Sequence, residues 1–249
     1  MKKRVLITLF TTLIILLFTG KSFAQLMGTD SSSQQPAFNN AISLFNASLG
    51  EQAPLYNGPE YYFYDHTIKG NAYFMDINTF TAGAVFYDGQ SFNNVQMLYD
   101  LYSDDVAALL YNHFQKIYLL KPKVKNFDFL GHHFVNINTD TINNKSDIKS
   151  GYYDELYNGK EQVLVKRTKS IQTTSSLVGL EKYFSPAIDY YIRKGKVYYS
   201  FSSQGQLLDI LKDRKKEIQQ YIKANKIKFR DDREQAMVKI VSYYDHITN

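Results

Sequence analysis

Between Leu55 and Ser202 short apolar and aromatic segments alternate with turn signals. Tyr56-Asn57-Gly58, Asp88-Gly89, Asn158-Gly159 and Lys194-Gly195 each sit between aromatic or β-branched runs. Asn-Gly and Asp-Gly adopt positive φ at low cost, so these positions read as β-hairpin turns. The pattern predicts strands over residues 61–65, 72–75, 80–87, 95–102, 106–111, 115–120, 124–129, 133–137, 152–157, 163–170, 188–193 and 196–201. Connections this short leave no room for crossover helices, which makes the pairing antiparallel.

Phe80, Ala82, Ala84 and Phe86 alternate with Thr81, Gly83, Val85 and Tyr87, so both faces of that strand carry apolar groups. Such a strand belongs to a sandwich or to a curved sheet with something over it. After Phe201 the period changes: Leu207, Leu208, Leu211, Ile218, Tyr221 and Ile222 recur at helical spacing. Met237, Val238, Ile240, Val241, Tyr244 and Ile247 form a last stripe, opened by a capping-box pattern at Asp231-Asp232-Arg233-Glu234. Ser203 is placed to cap the first of these helices. The expected fold class is therefore α+β: mainly antiparallel sheet, then two or three C-terminal amphipathic helices.

The first residues read as an address. Lys2-Lys3-Arg4 precedes an apolar run over 5–18, and Ser22-Phe23-Ala24 supplies small residues at the two positions a signal peptidase reads. Cleavage is expected before Gln25, since the run is shorter than the ~20 residues of a spanning helix. The division that follows is 1–24 signal peptide, 25–50 polar leader with a short helix over 37–48, 51–202 β domain and 203–249 helical segment. No later segment approaches a membrane span, so the mature protein is expected in the periplasm, at the outer membrane or outside the cell. Strands shorter than the ~9–11 residues of an outer-membrane barrel argue against that architecture.

Charge and composition narrow the classes. The formal charge of +5 falls to +1 without residues 1–24, which carry four basic residues and no acid. A nucleic-acid partner is not indicated. The absence of Cys excludes disulfides, thiol catalysis, Cys-based metal sites and a lipid-bearing N-terminal Cys.

Candidate chemistry is sparse. His132-His133 adjoin on a strand and point to opposite faces, and His66, His113 and His246 lie elsewhere, so no metal or cofactor site is assigned. Asp104-Asp105 reads as a turn before it reads as an acid–base pair. There is no Gly-x-Ser-x-Gly elbow and no glycine-rich phosphate loop. The basic stretch over 212–230 reads as a solvated helix face, with an anionic surface as the functional alternative. Aromatic runs give the best hint of binding: Tyr61, Tyr62, Tyr152, Tyr153, Tyr198 and Tyr199 are the candidate contact residues, with about half expected in the core by alternation.

Several of these segments resemble an uncharacterised family of Sec-exported proteins from Bacteroidota. The resemblance is carried by Leu55-Tyr56-Asn57-Gly58, Phe86-Tyr87-Asp88-Gly89, Met97-Leu98-Tyr99-Asp100, Phe129-Leu130-Gly131-His132-His133-Phe134, the run from Gly151 to Gly159, Lys166-Arg167, and the tail from Leu211 to Tyr244. It implies an envelope location and no assigned activity. Asp140-Thr141-Ile142 is similar to a tripeptide that this phylum O-glycosylates. The resulting expectation is a non-catalytic protein binding an envelope protein or an apolar or glycan ligand, aided by short cleft-forming loops. Two alternatives carry their own tests. A periplasmic acyl-chain carrier requires an apolar cavity lined from residues 80–86. A glycan or peptide hydrolase requires carboxylates among Asp100, Asp104, Asp105 and Asp154 in an open cleft.

Overall fold

The computed structural model describes residues 41, 44–45, 48–50, 53–141, 146–176 and 179–248. The signal peptide, the polar leader and most of the helix expected over 37–48 lie outside these residues, as does Ile142 of the Asp140-Thr141-Ile142 tripeptide. Ten strands form one antiparallel sheet: β1 Thr81–Tyr87, β2 Gln90–Asp100, β3 Asp105–Leu109, β4 Lys116–Tyr118, β5 Val124–Phe129, β6 His132–Ile137, β7 Gly151–Asn158, β8 Gln162–Ser176, β9 Gly179–Lys194 and β10 Val197–Phe201. Their order is β10-β9-β8-β7-β6-β5-β1-β2-β3-β4, an open curved sheet. Three helices follow: α1 Gln204–Ile210, α2 Lys215–Ala224 and α3 Arg233–Thr248. Among the described residues no helix is long and apolar enough to cross a membrane.

The expected α+β class is realised, and ten of the twelve expected strands exist. Residues 61–65 and 72–75 do not form strands; this region has only isolated bridges, from Glu60 to Ile117 of β4 and from Tyr73 to Asp100 of β2, in place of a ladder with those strands. Local side chains satisfy its backbone instead. Asp65 accepts from the Thr67 N–H (2.8 Å), and Asn71 accepts from the Tyr73 N–H (2.9 Å). The loops are thus not all short: residues 57–80 form a long irregular excursion.

Strand lengths also differ from expectation. β8 and β9 run 15 and 16 residues where eight and six were expected. The distal half of β8 is polar apart from Ile171, and that of β9 sets Leu180, Tyr183 and Phe184 among polar residues without strict alternation, a pattern that reads as loop because a two-stranded ribbon needs none. The length argument against a barrel fails for these two strands and for β2, which runs 11 residues. What the described strands show instead is an open order with β10 and β4 at its margins.

Two large cores fill the structure. One joins Val85, Tyr87, Met97, Tyr99, Phe127 and Phe134 with Leu55 and Phe74 from outside the sheet. The other packs Leu207, Leu208 and Leu211 with Ile218, Met237, Ile240 and Val241 against Val163, Val165 and Ile192. The helix starts follow local chemistry. Ser203 Oγ accepts from the Gln206 N–H (3.3 Å), and Asp232 accepts from the Gln235 N–H (2.9 Å). Glu234 does not reach back as a capping-box partner; its carboxylate lies 2.8 Å from Arg167 on β8.

Candidate functional site

The excursion over 57–80 is held on the sheet by one buried carboxylate. Asp100, at the end of β2, is fully buried and accepts from Tyr64 Oη (2.7 Å), Tyr61 Oη (3.3 Å) and the N–H groups of Tyr102 (2.9 Å) and Ser103 (3.1 Å). Four donors on one carboxylate satisfy what burial would otherwise penalise. Burial, with the Tyr73 hydrogen bond and the Asp100 charge, pushes the Tyr61 hydroxyl far up, and burial with Asp100 does the same to Tyr64. Both phenols stay protonated donors: they are clamps, not acid–base groups. At the far end Lys169 of β8 places its ammonium 2.9 Å from the Asn71 and Tyr73 carbonyls and 2.5 Å from the Asp76 carboxylate. Those bonds hold Met75 and Asp76 at φ 52° and 58°, two successive left-handed residues without a glycine. Such strain persists only where surroundings impose it, and it clusters at functional sites.

Between the excursion and the β8–β9 hairpin runs a groove of about 410 Å³. Phe63, Tyr64, Tyr73 and Phe184 wall it, with His66 and Asn78 at its rim. Tyr64, Tyr102 and Phe184 meet edge to face with centroids 5.4 to 5.9 Å apart, and Phe63 forms a second set of ring contacts with Tyr73 at 6.3 Å and Phe80 at 6.4 Å. Phe63 is 50% and Tyr102 45% exposed, so these rings form a surface as well as a core. A second cleft, about 540 Å³, opens where β2 splays from the end of β3 beside an asparagine bulge; Tyr56 there, in contact with Tyr111, has its hydroxyl pushed up to about 12 by burial and that contact.

The six candidate tyrosines separate sharply. Tyr61 is buried as an Asp100 clamp, while Tyr62 is 69% exposed with its hydroxyl on Glu60. Tyr152 and Tyr153 are both buried, against the expected one-in, one-out alternation. Tyr152 enters the aromatic core; Tyr153 turns the other way, under Ile148 and Tyr191, and donates to the Lys149 carbonyl (2.8 Å). Tyr198 is buried with its hydroxyl on Gln162 (2.9 Å), whereas Tyr199 is partly exposed. None of the six lines the groove. Phe63, Tyr64 and Phe184, which do, were missed; the adjacency of Phe63 and Tyr64 to the chosen Tyr61-Tyr62 pair was the available signal.

Asp104, Asp105, Asp154, His132 and His133 are engaged within the fold. Asp104 takes Tyr99 Oη (2.8 Å), Lys121 (3.0 Å) and Lys166 (2.6 Å). Burial holds the Lys166 ammonium below its ordinary value, and Asp104 opposes that shift. Asp105 is raised by burial, with Lys121 pulling it back. His132 and Arg167 share the buried Asp154 at 2.8 Å each, and His133 meets Asp128 at 2.6 Å. Asp100, Asp104, Asp105 and Asp154 are not among the residues that line the four clefts of Ala53–His113, Phe63–Phe184, Ala82–His133 and Asn225–Lys239. From residues 80–86, Ala82, Gly83 and Ala84 line an open cleft of about 400 Å³ beside Asp128, His132 and His133, while Val85 lies in the core. Among the described residues no three His, Asp or Glu groups are arranged to share an ion.

Compared with known proteins, the chain matches no family model, no curated protein and no solved structure.

Proposed function

We propose that this is an exported, non-catalytic binding protein that engages a protein partner through the aromatic groove of Phe63, Tyr64, Tyr73 and Phe184. The observation that carries this reading is the set of exposed aromatic rings held rigidly over the buried Asp100 clamp. Tyr, Phe and Met concentrate in the cores of interfaces, where rigid rings bury much area at little entropic cost. Tyr62, Met75 and Tyr102, all exposed, extend the same kind of surface around the groove. The N-terminal basic, apolar and small-residue pattern supports export, and finding Gln25 as the mature N-terminus tests it.

Site-specific photo-crosslinking in intact cells of the source organism tests the groove. A photoreactive residue in place of Phe63 is expected to capture one discrete protein that the same residue in place of Lys216, on α2, does not. Phe63→Ala should weaken that capture roughly tenfold or more, as loss of an interface anchor does. Equal capture from both positions would remove the groove from consideration.

A further inference from the structure

In an antiparallel strand, alternate residues present their backbone groups to opposite neighbours, so one hydrogen bond sets the parity of the whole strand. On β8 the Lys169 N–H donates to the Leu101 carbonyl, 3.0 Å away and outside the hairpin. Ile171, Thr173 and Ser175 share that parity, so their N–H and C=O groups also point away from β9. No described residue takes those groups, because β7 pairs with β8 only over Gln162 to Val165 and Leu101 reaches only Lys169.

Among the described residues, three other margins of the sheet carry cover. Along β4, Lys116 accepts from the Tyr61 N–H and Tyr118 donates to Pro59, both at 2.8 Å. Along β10, the Asp147 N–H reaches the Tyr198 carbonyl (3.0 Å) and its carboxylate takes the Ser200 N–H (3.1 Å). On the outer side of β9, Lys69 bonds Lys182 and Phe184, and Pro186, opposite Lys169, occupies an outward position with no N–H to offer. Folded proteins usually blunt exposed edges in such ways, with covering chain, charge or proline. The stretch from Ser170 to Ser175 (Ser-Ile-Gln-Thr-Thr-Ser) has no charge, no proline and no bulge.

We propose that this edge pairs with its counterpart in a second copy of the chain, antiparallel, about a two-fold axis at Thr173. That register sets Thr173 opposite Thr173 and Ile171 opposite Ser175. All these residues face outward, so each N–H meets a carbonyl of the other copy. No like charges oppose one another, and paired β-branched threonines favour such a ladder. The product is a four-stranded sheet, β9-β8-β8-β9. A seam of this length lies well below the ~1,600 Å² of a standard interface, so the association is weak and concentration-dependent. It rests on backbone register and stands apart from the aromatic groove.

Sedimentation equilibrium on residues 25–249, from micromolar to millimolar protein, tests the seam. The unaltered chain is expected to dimerise with rising concentration. Thr173→Pro, an outward position like that of Pro186, should abolish the dimer while the melting temperature holds. Thr173→Lys and Thr173→Glu should each weaken self-association, and mixing them should restore it by roughly tenfold over either alone, since the axis sets the two side chains together. A monomer at every concentration overturns the proposal. So does a dimer indifferent to both charge variants, or a mixture that behaves as its separate components.

Discussion

The sheet carries two kinds of cover. Over β8, β9 and β10 lie three helices whose apolar side chains recur at helical spacing and form a hydrocarbon core with the sheet, with polar ties from Glu234 to Arg167, Asp213 to Lys194 and Asp245 to Tyr157 beside it. Over the ends of β2 and β3 lies the irregular excursion 57–80, fixed by the polar hubs Asp100 and Lys169. A helix satisfies its own backbone, so it can dock chiefly by apolar surface. An irregular segment does not, and it needs buried carboxylates, ammonium groups and Asx turns to replace the missing ladder. Polar fixing is directional. It holds exposed rings in one geometry, which suits a recognition surface.

The sharpest way to break this comparison is in the two cores. Phe134 stacks on Phe127 at 4.7 Å and meets Phe74 and Tyr99 edge to face, so rings from three other segments depend on it. Phe134→Ala is expected to cost about 3–5 kcal/mol, and Met237→Ala on α3 about 2–3 kcal/mol, because a docked helix shifts to fill part of the space. Urea titration measures both, and a larger loss for Met237→Ala would reverse the ranking.

Asp100→Ala comes next, expected to cost about 3 kcal/mol by orphaning buried donors. Limited proteolysis should then cut within residues 62–80 well before the helices. Cleavage spread evenly over the chain would show that the excursion is not held separately.

A smaller effect belongs to the helical half. Glu161, in the turn between β7 and β8, is nearly buried; burial raises its carboxyl, Asp245 adds to this, and the Gly195 N–H bond opposes it. A raised folded-state value means the native protein holds that proton more tightly than the unfolded chain. The contribution is therefore full below the ordinary glutamate value of 4.5 and is lost as pH rises through the raised one. Melting curves across this window should fall less for Glu161→Gln than for the unaltered protein, and identical profiles would discount the turn. Smallest of all, Arg214→Ala removes an exposed pair with Glu217 (3.0 Å) and should change stability by less than about 0.5 kcal/mol.

Much of this architecture was legible residue by residue. Asp88-Gly89 marked the β1–β2 turn and Lys194-Gly195 the β9–β10 turn, Ser203 marked the start of α1, and Leu207, Leu208 and Leu211 marked its buried face. The aromatic run at Tyr61-Tyr62-Phe63-Tyr64 was misread as a strand, because β propensity reports fit to a half-buried surface and not the ladder itself. Asp100 looked like a candidate acid; its four donors come from residues 61 to 103 and show only in the folded chain.

Turn chemistry, apolar period and helix caps act over a few residues, so antiparallel sheet with terminal helices followed from the amino acids in order. Which rings face solvent did not. Tyr152 and Tyr153 are both buried because separate parts of the chain cover opposite faces of β7. The groove exists because a buried carboxylate and Lys169 draw distant segments together. Those outcomes rest on contacts between residues far apart in sequence, and no local pattern records which distant surface will arrive.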